Sequence, residues 1–143
     1  MSALTFILVV LVAFIAGVAS VVDERQFHRP LVACTLMGFA LGDPTTGIML
    51  GGALELIALG WMNVGAAMAP DSALASTISA VVVIQGHQDI TTGIAIAVPL
   101  AAAGQVLTIF VRTITVFFQH QADNFAKTAN FRGIELMHIS GMA

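Results

Sequence analysis

Long apolar runs separated by short polar clusters dominate the hydrophobic pattern of the chain. Residues 4–22 carry no charge, and at ~1.5 Å rise per residue a helix of this length spans ~28 Å, close to the hydrocarbon thickness of a bilayer. A cleavable signal usually has a shorter apolar region, so we interpret 4–22 as a retained span. Residues 45–69 and 90–111 are also long enough to span, although Glu55 interrupts the first run and Pro99 the second.

Two further apolar runs, 31–42 and 72–84, are too short to cross a bilayer, because each would be only ~20 Å long as a helix. Helix-breaking residues bound them, Gly42-Asp43-Pro44 after the first and Pro70-Asp71 before the second. Broken helices persist in lipid only where protein or a water-filled cavity satisfies their free backbone groups. We therefore expect broken or re-entrant segments within 31–84 that lie beside a binding site. Kinked continuation into neighbouring segments is the alternative.

Glycines recur at helical spacing in this central region, as the pairs Gly38/Gly42 and Gly47/Gly51. Each pair predicts one small-residue face along which two helix backbones can approach closely within a membrane. From Arg112 onward, phenylalanines alternate with polar residues. That pattern is typical of an amphipathic helix lying at the membrane interface.

The composition agrees with a membrane protein, since 58% of residues are hydrophobic and 9% are charged, whereas soluble domains are about a quarter charged. No Lys or Arg occurs between Arg29 and Arg112. A basic footprint for nucleic acid is therefore absent, and no nucleic-acid partner is expected. The charges inside this gap are all acidic: Asp43, Glu55, Asp71 and Asp89.

Glu55 is the most informative residue of the sequence. A carboxylate in the middle of an apolar span is costly and indicates a functional site. Gly51 and Gly52 lie one turn before it and would leave room for a second helix or a ligand. The alternative is a protonated glutamic acid with a purely structural hydrogen bond.

Trp61, Asn63 and Asp71 follow Glu55 closely and supply the groups that a neutral sugar requires. Carboxylates and amides exchange hydrogen bonds with hydroxyls, and an indole face covers the apolar side of a sugar ring. Two alternatives stay open: Trp61 as an interfacial anchor, and Asp71 as the N-cap of a helix over 72–84.

The remaining candidates for sugar binding are Gln105, Gln26 and His28. Gln105 begins a polar stripe with Thr108 and Arg112, and it could join the pocket or hydrogen-bond another helix. Gln26 and His28 belong to the polar cluster 23–30. No metal-ligating pair and no glycine-rich phosphate loop is present in the sequence, so we predict no metal and no cofactor.

Three stretches of the chain closely resemble the IIC permease subunit of the mannose-family phosphotransferase system. They are D-E-R-Q-F-H-R-P-L at 23–31, G-G-A-L-E-L-I-A-L-G-W-M-N-V-G-A-A-M-A-P-D at 51–71, and P-L-A-A-A-G-Q at 99–105 continuing to R-T-I-T at 112–115. The resemblance extends over essentially the whole chain.

The resemblance implies a multi-pass protein of the bacterial plasma membrane that binds and translocates a hexose such as mannose, glucose or glucosamine. Family members act with a IID membrane subunit in trimeric assemblies of IIC–IID pairs. A IIAB protein performs the phosphoryl transfer, so this chain is not expected to be an enzyme. In some bacteria such complexes also serve as receptors for pore-forming bacteriocins.

Length is the one departure from the family, because its IIC chains are considerably longer. The sequence therefore looks like the N-terminal part of a IIC permease domain, over residues 1–143. This departure keeps a second function in view, that of a non-transporting membrane assembly or bacteriocin-receptor module.

Overall fold

The computed structural model describes residues 2–22, 26–64 and 68–142, whose regular elements are all α-helices. The predicted all-α fold class is confirmed. The chain forms two compact units, the first ending at Gln105 and the second beginning at Val106. The helices are α1 (Ala3–Val22), α2 (Pro30–Leu41), α3 (Pro44–Ala58), α4 (Ser72–Gln85), α5 (Ile90–Lys127) and α6 (Phe131–Met142).

Helices α1 and α5 are, by length and composition, apolar enough to cross a membrane. Helix α1 covers the predicted span 4–22 and leaves most of its large side chains exposed. An apolar surface of this kind is unfavourable in water and suits a lipid environment. Its exposed large residues include Leu4, Phe6, Ile7, Val10, Leu11, Phe14, Val18 and Val22.

Helices α2, α3 and α4 contain 12, 15 and 14 residues, which corresponds to about 18–22 Å of helix. The two predicted short runs are thus confirmed as short helices. The predicted span over 45–69 is wrong, because α3 ends at Ala58. There the Trp61 N–H donates to the Ala58 carbonyl in a turn that contains Gly60, a poor helix former.

Each short helix begins at a residue that suits a helix start. Pro30 occupies the first turn of α2, as expected for a residue without an N–H. The Asp43 side chain accepts from the Thr46 N–H at 3.1 Å and caps α3. Helix α2 ends at Gly42, whose φ of 86° is left-handed. The predicted Gly38/Gly42 face is therefore wrong, since Gly42 lies beyond the helix.

Helices α2 and α3 form an antiparallel hairpin that depends on glycine. A Cβ atom at Gly47 would lie 2.5 Å from the Cys34 carbonyl oxygen, and one at Gly51 would lie 2.9 Å from the Pro30 carbonyl oxygen. The later residue of α3, Gly51, approaches the earlier residue of α2, Pro30, so the two helices run antiparallel. The predicted Gly47/Gly51 packing face is confirmed.

Helix α4 runs parallel to α2. The Ser72 hydroxyl donates to the His28 carbonyl at 3.3 Å, and the Cys34 thiol donates to the Ser76 carbonyl at 3.4 Å. The starts of α2 and α4 and the end of α3 consequently lie at the same end of the three-helix group. Helix α1 joins this group through a small apolar cluster of Ala16, Ala33 and Ala73.

Helix α5 packs along α4 in the opposite direction. A Cβ atom at Gly93 would lie 2.5 Å from Val83, and one at Gly104 would lie 2.6 Å from the Asp71 Cβ. Pro99 does not interrupt the helix. The buried core of this unit includes Cys34, Met37, Leu50, Leu54, Ala75, Ala80, Val83, Ala97 and Ala101.

In the second unit, the helix predicted to begin at Arg112 is the continuation of α5, which runs without a break to Lys127. The separate amphipathic helix, α6, begins only at Phe131. A Cβ atom at Gly133 would meet the Phe125 ring at 2.6 Å, and one at Gly141 would lie 3.6 Å from the Phe118 Cβ. The two segments therefore pack antiparallel.

Gly47→Ala should destabilise the α2–α3 hairpin by roughly 1–3 kcal/mol, because the added methyl group meets backbone atoms that cannot move aside. The measurement is the thermal unfolding midpoint of the purified protein in detergent. Gly52→Ala is the matched control, since a Cβ there has nothing within 4 Å. Equal midpoints for the two variants would contradict the close approach of these helices.

Candidate functional site

Glu55 lies in the last turn of α3 and forms an ion pair with Arg29, the residue before α2. The Arg29 Nε donates to Glu55 Oε1 at 2.6 Å, and the Leu31 backbone N–H donates to Oε2 at 3.1 Å. Arg29, at the N-cap position, provides no side-chain cap for α2. Glu55 therefore supplies from another helix the acceptor that the start of α2 requires.

The expectation that Glu55 lies in the middle of a span is wrong, because α3 is short and Glu55 is near its end. Sequence reasoning also missed Arg29 as the partner of Glu55. A signal was available, since Arg29 is the last cation before the long stretch without Lys or Arg. A carboxylate in that stretch requires a positive partner from outside it.

His28 connects the starts of α2 and α4 through its backbone. Its carbonyl accepts from the Ser72 hydroxyl, while the Nδ1 atom of its ring is buried without a hydrogen-bond partner among the described residues. Gln26 begins the turn before His28, with φ of 64° and an exposed side chain. Of the predicted cluster 23–30, Asp23, Glu24 and Arg25 lie outside the described residues.

Asp71 has the N-cap role that the sequence left open. Its Oδ1 accepts from the Leu74 N–H at 3.0 Å at the start of α4. Its own N–H donates to the Ala101 carbonyl of α5 at 3.0 Å. Its side chain lies close to Gly104 of α5, where an added Cβ atom would be 2.6 Å from the Asp71 Cβ.

Asn63 and Gln105 shape the segment between α3 and α4. The Asn63 side chain accepts from the Ala69 N–H at 2.7 Å, and the Gln105 side chain donates to the Met68 carbonyl at 2.5 Å. Both amides thus bind loop backbone. Trp61 is half-buried against the core of the first unit.

The structure gathers most of the predicted site residues at one end of the short helices. Glu55, His28 and Asp71 are connected there by the Arg29 pair and the Ser72 bond, and Gln105 reaches the adjoining loop. Asn63 and Gln26 are exposed, and among the described residues the hydrogen bonds to the Glu55 side chain come from Arg29 and Leu31 and not from these two. The Asp43 break lies at the other end of α2, so the two breaks do not line a single pocket.

The electrostatics of this end favour hydrogen bonding to a neutral solute. Two helix starts, with partial positive charge, converge where two carboxylates lie, and Arg29 adds a full positive charge. The Glu55 side chain remains 21% exposed and that of Arg29 28% exposed. Among the described residues, no group of His, Cys, Asp or Glu could hold a metal ion.

The sequence profile of a family described as the sorbose-specific IIC component of the phosphotransferase system matches residues 3–143. The chain belongs to this family. The predicted family membership is thereby confirmed, and the matched region includes every described site residue.

Relatives with known names agree with this assignment. A fructose permease IIC component of Bacillus subtilis is 66% identical over 142 residues, which cover 99% of this chain and 53% of that protein. A mannose-specific EIIC component of Escherichia coli K12 is 63% identical over 139 residues, which cover 97% of this chain and 52% of that protein. The chain thus spans about half the length of these relatives.

A solved structure of the mannose transporter ManYZ in complex with microcin E492 contains a chain with the same fold. Its TM-score is 0.92 at 62% sequence identity, over 99% of this chain and 57% of that chain. The all-α membrane fold is therefore shared with a membrane transporter.

Asp71→Ala should lower the free energy of unfolding by about 1 kcal/mol, because α4 loses its N-cap, whereas Asp71→Asn keeps the cap and the stability. Thermal unfolding in detergent provides the measurement. Asp89 caps α5 in the same way, through bonds from Thr92 at 2.6 and 2.9 Å, so Asp89→Ala is the control for loss of an exposed cap. Equal destabilisation by Asp71→Asn and Asp71→Ala would contradict the capping role.

Proposed function

We propose that this chain is the N-terminal part of a IIC permease domain that binds a hexose and carries it across the bacterial plasma membrane. Family membership supports the proposal, and the observation that carries it is the polar group at the converging ends of α2, α3 and α4. A polar group placed there by helices with apolar surfaces requires a reason, and a solute path supplies one.

The proposed sugar contacts are Glu55, Asn63, Asp71, Trp61, Gln105, His28 and Gln26. The bonds described above leave each carboxylate with acceptor capacity, since a carboxylate has about four lone-pair sites. The Nδ1 atom of His28, which has no hydrogen-bond partner in the described part of the chain, is a further position for a hydroxyl. Trp61 would cover the apolar face of the ring from the core side.

Phosphoryl transfer belongs to a partner in this proposal. The relatives are named as IIC components of permeases, and residues with phosphoryl chemistry are not expected on this chain. We propose a IID membrane subunit and a IIAB phosphocarrier as partners, in a trimer of IIC–IID pairs. Relatives named for fructose, sorbose and mannose support a hexose without selecting one.

A second function has one specific observation in its favour. The solved mannose transporter is described in complex with microcin E492. A chain at 62% identity with that structure could serve as a bacteriocin-receptor module. Binding of a microcin to cells that lack sugar uptake would support this alternative over transport.

We further propose that the chain crosses the membrane more than once and that the α2–α3 hairpin enters the membrane without crossing it. Both helices are shorter than the ~30 Å hydrocarbon core. Their ends are satisfied within the protein, by Glu55 at the start of α2 and by Asp43 at the start of α3. Such satisfied ends are what a re-entrant segment requires.

Glu55→Ala and Asn63→Ala should each reduce sugar binding by at least about tenfold, because each removes a hydrogen-bonding group from the site. Binding of labelled mannose to the purified membrane complex is the measurement, with size exclusion as the test of assembly. Thr113→Ala, on an exposed part of α5 in the second unit, is the control. Unchanged affinity in both site variants would defeat the site assignment.

Single cysteines in a Cys34→Ala background test the re-entrant hairpin. Cysteines at Gln26 and Met62, which flank the hairpin and are exposed, should react with a bulky membrane-impermeant maleimide added on one face. A cysteine at Thr45 lies at the exposed tip of the hairpin. It should not react with maleimide added on the opposite face of the membrane, because the hairpin is too short to reach that face. Reaction at Thr45 from the opposite face would show two ordinary crossings.

A further inference from the structure

A six-residue pattern occurs twice in the chain, at the starts of α3 and α5. It is D-P-T-T-G-I at 43–48 and D-I-T-T-G-I at 89–94, 46 positions later. In both copies the aspartate accepts hydrogen bonds from the backbone N–H and the hydroxyl of the second threonine, Thr46 or Thr92. The two copies therefore share their local structure as well as their sequence.

The helices that precede the two copies also end in the same way. Gly42 follows α2 with φ of 86°, and His87 follows α4 with φ of 48°. In both cases the N–H of the next residue donates to a carbonyl five positions earlier, at 2.9 Å in the first turn and 3.0 Å in the second. This closure is a common end for a helix, and the second turn has one additional residue before its aspartate.

Burial follows the same offset of 46 positions. Buried residues of α2 and α3 correspond to buried residues of α4 and α5 in pairs that include 33/79, 34/80, 37/83, 38/84, 47/93 and 51/97. Most of these pairs differ in residue type, so the packing pattern is repeated where the side chains are not. Residues 72–105 therefore form a second helical hairpin that resembles α2–α3.

The two hairpins lie side by side with their turns at the same end. A Cβ atom at Gly93 would lie 2.9 Å from the Leu50 side chain of α3, and α4 runs parallel to α2. Helix α4 is about 21 Å long and residues 90–105 about 24 Å, so these arms are also shorter than the ~30 Å hydrocarbon core. Residues 106–127 of α5 add about 33 Å, which is long enough for a crossing after the hairpin.

Polar side chains are exposed at the two turns. They belong to Thr45, Gln85, His87, Gln88, Asp89 and Thr91. Such groups are costly in lipid, and at membrane depth they require contact with protein or water. A solute path requires water at this end, because most of the proposed sugar contacts lie at the opposite end of the same helices.

We propose that α4 and residues 90–105 form a second re-entrant hairpin, equivalent to α2–α3, and that the turns of both hairpins face water that enters from the opposite face of the membrane. The inference rests on the proposed function, which supplies the re-entrant α2–α3 hairpin and the need for a path. It adds the second hairpin and the part of the path that lies beyond the sugar site.

Cysteines at the equivalent exposed positions Thr45 and Thr91, in a Cys34→Ala background, test the proposal in sealed vesicles that contain the assembled complex. A small cationic methanethiosulfonate is added on the face opposite the one from which Gln26→Cys reacts. Both cysteines should react at least about tenfold faster than a cysteine at Leu11, an exposed residue of the apolar α1, because a thiol in lipid remains protonated. A bulky maleimide should reach neither from that face.

Two results would overturn the inference. Reaction of Thr91→Cys but not Thr45→Cys with the bulky maleimide from the opposite face would show that the second hairpin crosses the membrane and is not equivalent to the first. Failure of both cysteines to react with the small reagent would show that lipid or a partner protein covers the turns. Should a variant not assemble, Ile48→Cys or Gln88→Cys, which replace exposed residues near the same turns, takes its place.

The outcomes also separate this inference from the proposed function. If both cysteines react with the bulky maleimide from the opposite face, the re-entrant hairpins fail, whereas the sugar site, tested by Glu55→Ala, stands. If Glu55→Ala leaves sugar binding unchanged while the labelling agrees with the expectation above, the sugar site fails and the paired hairpins stand.

Discussion

The backbone groups at the ends of three short helices constrain the rest of this structure. Water satisfies such groups in a soluble protein, whereas within a membrane the protein must satisfy them itself. Here Glu55 completes the start of α2, Asp43 the start of α3 and Asp71 the start of α4. All four acidic residues in the stretch without Lys or Arg therefore serve helix starts, because the remaining one, Asp89, caps α5.

This constraint explains why the helix ends that need partners and the candidate site lie at the same end of the unit. Helices α2 and α4 run parallel, so their starts and the acceptors that cap them lie at one end of the unit. The glycine contacts of the α2–α3 hairpin bring the last turn of α3 to the same end. Without the close approach at Gly51, the Glu55 carboxylate would lie further from the Leu31 N–H and could not cap α2.

Local signals predicted the short helices well. Helices begin or end at Pro30, at the Gly42-Asp43-Pro44 break and at Asp71. Each of these residues acts through its own backbone geometry or through a side-chain hydrogen bond to a residue at most three positions away. The Gly47/Gly51 face was predictable for the same reason, because its spacing is a property of a single helix. These features required no knowledge of distant contacts.

The predictions from the sequence failed where a tertiary contact determines the local structure. Hydrophobicity alone extends 45–69 into one span, but the loop after Ala58 is held by the Asn63 and Gln105 amides through bonds to Ala69 and Met68. The pairing of Arg29 with Glu55 joins residues that are 26 positions apart, and no spacing rule connects them.

The Asn63 and Gln105 amides also stabilise the segment between α3 and α4, apart from any contact with a sugar. Between these two short helices, the described residues 59–64 and 68–71 lie outside regular helix and carry backbone groups that lipid cannot satisfy. Asn63 accepts from one of these N–H groups, and Gln105 donates to one of these carbonyls, so the two side chains offset part of that cost. The carbonyl and N–H groups of both amides retain further hydrogen-bonding capacity. Each amide can therefore stabilise this segment and, in the proposed function, still exchange a hydrogen bond with a sugar hydroxyl.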